Sequence, residues 1–442
     1  MALKTKKWII IASSLLALTA PENHAQTRLR LQDALTIGLT NRYDAQANRT
    51  NISLAENTVQ QRRLDWMPEL NLSGNVRYNT QLQTTVIPAG AFPGVTESQR
   101  LAFGTRNNTF FALDLTQPIY KPELKTDAKL ALNSLAIKKE QHNQQQTSLR
   151  VQIAETYLNV LLKELQRDLA QADQQRYTAY LAIAEGRYKA GTLLESDYLQ
   201  AKLDAQNADI DARKATQNYQ LALDNLRYRL NLPGDTALEL TDRLDPDALT
   251  DYQLPALSSY GQRSEIRQLY LQQEQYGLNS QKIRDGLKPG LSFYANYSTQ
   301  FQDNSLNYTR DAWSNFNYVG LKLNVPLSAQ FRKRTSLLDY QLRLQQTALT
   351  LRQTEADITY EIRKNQTDLT NATQNLRATK ASLALSKQLY QIQQDKYRLG
   401  VTLYSTILDT ERSLRAAEQN HIEAAYAYLV AKLNYEKATG LY

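Results

Sequence analysis

Arg187-Tyr-Lys-Ala-Gly191 and Lys396-Tyr-Arg-Leu-Gly400 are nearly the same word, written twice at an offset of 209 in a chain of 442 residues. The register persists downstream. Tyr198, Ala201, Ala205, Ala208, Ala212, Ala215, Tyr219, Ala222 and Leu226 step along the chain by alternating threes and fours. The same offset lands on Ile407, Thr410, Leu414, Ala417, His421, Ala424, Tyr428, Ala431 and Tyr435. Such stepping marks helices that pack along one narrow stripe. Two stripes in one register predict a duplicated unit, and small residues on a stripe let helix backbones approach closely.

Each word predicts the tip of a helical hairpin. Gly191 and Gly400 sit where a helix ends on a residue of positive φ, a conformation glycine adopts without a Cβ clash. The cations Arg187, Lys189, Lys396 and Arg398 fall in the last turn, which the helix dipole favours. The arms are long. From about Lys125 to Tyr188 neither proline nor glycine intervenes before Gly186, and Leu158, Leu161, Leu165, Leu169 and Ala172 continue the rhythm. A second unbroken arm runs from about Ser328 to Lys396. Sixty helical residues reach roughly 90 Å, so these are rods.

Upstream of each rod the period changes to two. After Pro68, Leu70, Leu72, Gly74, Val76 and Tyr78 alternate with Glu69, Asn71, Ser73, Asn75, Arg77 and Asn79. After Pro289, Leu291, Phe293, Ala295, Tyr297, Thr299 and Phe301 oppose Ser292, Asn296, Ser298, Gln300 and Gln302. Partner strands hold Phe111, Leu113 and Leu115 before Pro118, and Val319, Leu321, Leu323 and Val325 before Pro326. Segments 84–107 and 303–314 are expected as loops. Strands of about ten residues with one apolar face suit a tilted membrane barrel; half of a soluble sandwich is the lesser alternative. Aromatics near the strand ends (Trp66, Tyr78, Phe110, Tyr120, Tyr308, Trp313, Phe316, Tyr318) favour the barrel, as interfacial girdles do. Four strands cannot close a barrel, which takes about eight, so other chains must complete the sheet.

Bulk composition narrows the function. The N-terminus carries Lys4, Lys6 and Lys7 before an apolar run from Trp8 to Ala20, the form of a secretory signal over residues 1–25. Removing that segment, with its three lysines and Glu22, lowers the net charge from +8 to +6. No dense basic cluster follows, which argues against nucleic acid as a partner. The absence of cysteine excludes thiol catalysis, zinc–thiolate clusters, disulfides and a cysteine-linked lipid anchor. Only His24, His142 and His421 exist, and no phosphate loop, nucleophile elbow or metal-spaced cluster appears. Neither an enzyme nor a cofactor is expected.

In order and spacing these features resemble the TolC family of bacterial outer-membrane efflux proteins. Leu31-Gln-Asp-Ala-Leu35 with Leu39 and Asn41 is similar to the family's opening helix, with Arg42 where proline is common. Arg263-Ser-Glu-Ile266 resembles the opening of its second half. Trp66-Met-Pro68 and Leu287-Lys-Pro289 resemble its passages from helix to strand. The resemblance implies an α+β fold in which each chain of a homotrimer gives four strands to a twelve-stranded barrel in outer-membrane lipid. Its long coiled-coil-like hairpins would form an α-barrel tunnel in the periplasm. The division would be a signal over 1–25, a first repeat over 26–230 (strand pair about 69–120, tip 187–192), a connector at the tunnel waist over 231–256, and a second repeat over 257–442 (strand pair about 290–327, tip 396–402). A long C-terminal extension is not expected. The partners implied are a periplasmic adaptor protein and an inner-membrane pump of RND or ABC type.

Site residues follow from the same resemblance. Tyr397 with Asp197 and Ser196 corresponds to the aperture lock, and Thr402 stands where the family has an arginine. Asp409 corresponds to one of two constriction aspartates, and Thr406 replaces the other. Ala190-Gly191-Thr192 and Leu399-Gly400-Val401 resemble the adaptor-docking tips. A periplasmic adaptor and a coiled-coil scaffold are the rival readings. An adaptor usually carries one hairpin rather than two, and a scaffold has no use for alternating strands.

Overall fold

A computed structural model describes residues 27–441 apart from 92, 95, 250–262, 307 and 309. The expected signal over 1–25 and the later part of the expected connector lie outside the described residues. In chain order the first half holds β1 (Thr27–Leu29), α1 (Leu31–Asn41), α2 (Tyr43–Leu64), β2 (Glu69–Tyr78), β3 (Gln83–Ile87), β4 (Gln99–Phe103), β5 (Asn107–Tyr120), α3 (Pro122–Lys189) and α4 (Glu195–Arg229). After β6 (Leu238–Leu240) come α5 (Ser264–Asp285), β7 (Gly290–Asp303), β8 (Trp313–Asn324), α6 (Ala329–Arg398) and α7 (Tyr404–Ala438). The outgoing arms α3 and α6 have 68 and 70 residues, and the return arms α4 and α7 have 35 each.

All four arms stop in the same way. Gly191 and Gly400 take φ of 73° and 76°. The Gly191 N–H donates to Tyr188 O and the Thr192 N–H to Arg187 O, both at 2.9 Å. Gly400 and Val401 repeat this on Tyr397 O and Lys396 O at 3.0 and 2.9 Å. This is the Schellman motif, which satisfies carbonyls that the helix would otherwise leave open. The return arms end on Asn231 (φ 54°) and Gly440 (φ 76°), again 209 residues apart, with the same pair of bonds. Asparagine tolerates the left-handed region better than most side chains, and its Nδ2 also donates to Asn41 O at 3.0 Å.

The chain folds into two units. One takes the residues through 41, 153–249 and 379–426; the other takes 42–152, 250–378 and 427 onward. Each unit therefore draws on both halves of the sequence. In the first, β1 pairs in parallel with β6, inside the segment expected as connector. The Tyr157 hydroxyl lies 3.0 Å from Leu29 O and 2.9 Å from the Asp242 carboxylate, which also accepts the Leu31 N–H. Gly38 leaves room for Ile153 and Leu230, which a Cβ would strike.

The stripes are buried much as the stepping implies. Ala201, Ala208, Ala212, Ala222 and Leu226 are buried on α4, and Ile407, Leu414, Ala417, His421, Ala424 and Tyr428 on α7. On α3 the register differs from expectation. The buried stripe takes Tyr157, Val160, Ala170, Asp173, Tyr177, Tyr180 and Ala184; of the expected residues Leu161 is buried, whereas Leu158, Leu165 and Leu169 are half-buried and Ala172 is exposed. A charged residue, Asp173, occupies a stripe position, so apolarity alone mistakes the register.

In the second unit β2-β5-β7-β8 form one antiparallel sheet. Directly paired residues share a face, and the pairing separates two faces. Leu72, Leu113, Tyr297 and their neighbours lie on one, while Asn71, Asp114 and Asn296 lie on the other. On the polar face Asn296 donates to Asp114 at 2.7 Å and Ser298 to Asn296 at 2.6 Å. Leu70, Leu72, Val76, Leu113, Val319, Leu321 and Leu323 stay exposed on the other. The edges β2 and β8 have no strand partner on their outer sides among the described residues.

Three strand details correct the sequence reading. Pro118 lies within β5 rather than at its end; the strand continues to Tyr120 past a register shift between these residues. Pro122 instead opens α3, where its missing N–H costs nothing. The expected loop 84–107 holds the hairpin β3–β4, paired from Gln83↔Phe103 to Ile87↔Gln99. Each strand has only five residues, too few for an alternation to stand out.

Candidate functional site

The two hairpin tips lie in the first unit. Ala190, Gly191, Thr192, Leu399, Gly400 and Val401 are all exposed, with Leu194 and Leu403 beside them. Nothing stands within 4 Å of a Cβ built on either tip glycine, so their φ, not crowding, requires glycine. Exposed Leu and Val on turns fixed by their own backbone bonds make a preformed apolar knob. Large exposed apolar residues grouped in this way mark contact surfaces.

Just behind the tips the two hairpins meet through tyrosines. Tyr397 is 1% exposed. Its ring packs edge-on to Tyr180 at 6.3 Å and tilted against Tyr404 at 6.1 Å. The Arg187 guanidinium lies 4.7 Å above the ring centre and donates to Tyr397 O at 3.1 Å. One arginine thus holds the second hairpin by a cation–π contact and a backbone bond together. The Tyr397 and Tyr404 hydroxyls have no hydrogen-bond partner among the described residues. Burial pushes the pKa of Tyr397 upward, the Arg187 guanidinium opposes it, and the Asp197 carboxylate adds a lesser upward push. Asp197 therefore acts on Tyr397 through its field, and no hydrogen bond joins them within the chain. Ser196 is exposed and Thr402 half-buried.

Further along α7, Thr406 and Asp409 are exposed and three residues apart, on one face of the helix. Their carbonyls accept from Thr410 Oγ1 and Ser413 Oγ, both at 2.8 Å. Asp409 also has a cation near it: Arg412 stands 3.7 Å away.

Beyond these lies a buried ionic group that sequence reasoning missed. Arg176 on α3 contacts Asp173, reaches Glu411 on α7 at 2.7 Å, and reaches Glu418 at 3.4 Å. Arg415 on α7 bridges Asp173 at 3.0 Å and Asp211 on α4 at 2.8 Å. Glu411 is wholly buried and Asp173 nearly so. Burial pushes both carboxyl pKa values upward, against the pull of Arg176. A signal for Glu411 existed. On α7 Tyr404, Leu408 and Leu414 are buried, and Glu411 stands seven residues after Tyr404 on the same stripe. A charge where the period demands an apolar group marks a special site. Among the described residues, no helix is long and apolar enough to cross a membrane, and no cluster of His, Asp or Glu could hold a metal.

Comparison with known proteins agrees with this architecture. The family described as "Outer membrane efflux protein" matches residues 35–231 and 259–441. The chain is 24% identical over 418 residues to the cation efflux system protein CusC of Escherichia coli K12, covering 90% of this chain and 85% of that one. It is 21% identical over 328 residues to the alkaline protease secretion protein AprF of Pseudomonas aeruginosa, covering 72% and 67%. A crystal structure of CusC superposes with a TM-score of 0.76 at 19% identity, covering 94% of this chain and 92% of that one.

Proposed function

We propose, from the premise that this chain belongs to the outer membrane efflux protein family, that three copies of it form a passive exit duct through the outer membrane. The carrying observation is the sheet: four strands with one exposed apolar face, one hydrogen-bonded polar face, and two unpaired edges. Unpaired strand edges cannot persist in lipid, where no water satisfies backbone groups. Sister subunits supply the missing partners, β2 of one copy pairing with β8 of the next. Twelve strands suffice to close a barrel. Aromatic rings at the sheet's two ends, Trp66 and Tyr120 at one and Tyr78, Tyr308 and Trp313 at the other, suit the two lipid–water interfaces.

In this reading the helical arms form the periplasmic tunnel. The knobs at Gly191 and Gly400 dock a periplasmic adaptor, which connects the duct to an inner-membrane pump of RND or ABC type. The duct itself does no chemistry. Tyr397 forms the aperture lock through its ring. Arg187, reaching across from the first hairpin, makes the cross-hairpin bond for which Thr402 offers no cation. Asp197 and Ser196 set the local field. Three Asp409 carboxylates with Thr406 line the constriction and favour cations, moderated by the neighbouring Arg412. One relative is named for cation efflux and another for protease secretion, so the fold alone fixes no cargo.

The test pairs mass with current. Purified protein in detergent is expected to have the mass of three chains and to conduct in a planar bilayer. A water-soluble monomer without affinity for detergent would end the duct reading, and release from membranes by salt would favour the adaptor.

A further inference from the structure

We propose that Glu411, in the ionic group behind the tips, is a proton-loaded latch: protonated, it holds α7 against α3, and it loosens that contact when the proton leaves. The group is unbalanced. Four carboxylates, on Asp173, Asp211, Glu411 and Glu418, share two guanidinium groups, on Arg176 and Arg415. Arg176 is divided among three of them, and among the described residues it is the cation within ion-pair distance of Glu411.

Lys163 and Lys214 line the pocket beside Asp173 and Asp211, on the far side of the group from the buried Glu411 side chain's ion pair with Arg176. From α3 come the neutral Tyr177 and Tyr180, and from α6 comes Tyr390, whose hydroxyl is 2.5 Å from that of Tyr180 and which, like Arg176, pulls the Glu411 carboxyl pKa down against the larger effect of burial. From α4, Asp204 adds a carboxylate whose cation, Arg412, stands 4.0 Å off. A buried carboxylate that shares its one arginine with two other carboxylates is only partly compensated, which is costly, and an apolar side chain at this position of α7 would avoid the cost altogether. A proton removes it as well, and a proton can come and go.

The sign follows from linkage. Burial raises the carboxyl pKa of Glu411, so the packed arrangement binds the proton more tightly than a loosened, hydrated one. Packing is therefore strongest on the acid side and weakens as pH rises through the raised value. Asp173 shifts the same way. His421, farther along α7, works oppositely. Its Nδ1 lies 3.3 Å from Thr379 Oγ1 and its Nε2 3.8 Å from Asp247, and burial lowers its pKa, so acid would loosen its surroundings. The direction of the pH response thus tells the two groups apart.

The latch stands on the geometry of one chain and does not require the duct reading. The measurement is hydrogen exchange of the full-length protein in detergent from pH 5 to pH 8.5, corrected for intrinsic rates and read over residues 404–414. Protection in the wild type is expected to fall about tenfold toward high pH, the ratio for ~1.4 kcal/mol of desolvation penalty. Glu411→Gln, which mimics the protonated acid, should stay protected throughout, and His421→Gln should keep the wild-type slope. Flat or rising protection in the wild type would overturn the proposal, whatever the variants do. So would an unchanged slope in Glu411→Gln. Bilayer currents taken alongside separate the two readings: the expected exchange with no current at any pH refutes the duct and leaves the latch, and current with flat exchange does the reverse.

Discussion

Replacing Tyr397 with phenylalanine divides two accounts of the tip. If the tyrosine locks the aperture through its hydroxyl, as the family resemblance implies, Tyr397→Phe removes the lock. In this chain Tyr397 is 1% exposed, and its buried hydroxyl has no hydrogen-bond partner among the described residues. An unpartnered buried hydroxyl costs about 1–3 kcal/mol. Phenylalanine removes that cost and keeps the edge-on contact with Tyr180, the contact with Tyr404 and the ring beneath Arg187. The Arg187 bond to the residue 397 carbonyl is a backbone contact and is untouched. The substitution should therefore be neutral or stabilising by up to ~1–2 kcal/mol. Tyr397→Ala, which removes the ring, should destabilise by ~3–5 kcal/mol. Hydrogen exchange of the amides from Tyr390 to Tyr404 reads this locally, and bilayer conductance reads it functionally. Slower or equal exchange with unchanged current is the expected result. Faster exchange with raised current in Tyr397→Phe would show that the hydroxyl has a partner and that the ring-based lock is wrong.

Gly400→Ala and Gly191→Ala should each cost about 1–2 kcal/mol, because alanine is strained at φ near 75°; exchange at the following turn measures it. Leu321→Lys puts a cation on the apolar face of β8 and should cost ~2–4 kcal/mol if that face meets lipid. The check is loss of the detergent-stable oligomer, and full retention would contradict a lipid-facing position. Asp409→Asn should weaken block of the current by multivalent cations; unchanged block would place the constriction elsewhere.

Much of this architecture is legible in the residues, because it depends on period. Steps of three and four along α4 and α7 become buried stripes, alternation around Leu70 and Phe293 becomes a two-faced sheet, and Gly191 and Gly400 become left-handed caps. What escaped depends on exceptions to period. Asp173 interrupts the α3 stripe and shifts its apparent register. Pro118 stays inside β5 because the strand shifts register there and continues. The β3–β4 strands, five residues each, are too short to show a period. The contacts of Arg187, Arg176 and Glu411 depend on which helices become neighbours, and spacing along one helix does not reveal that.

The matched caps also restrict how this chain can vary. Between Glu195 and Arg229, and between Tyr404 and Ala438, the return arms are the same length to the residue. One residue added to either would swing everything beyond it by ~100° about the axis, carrying small side chains off the stripe and glutamines onto it. Seven added residues would miss alignment by only ~20°. Lengthening is therefore tolerable in blocks of seven, and only if the twin arm grows in step. Across related chains, insertions within these arms should arrive as paired heptads, while the turns after Tyr78 and Asp303 vary freely.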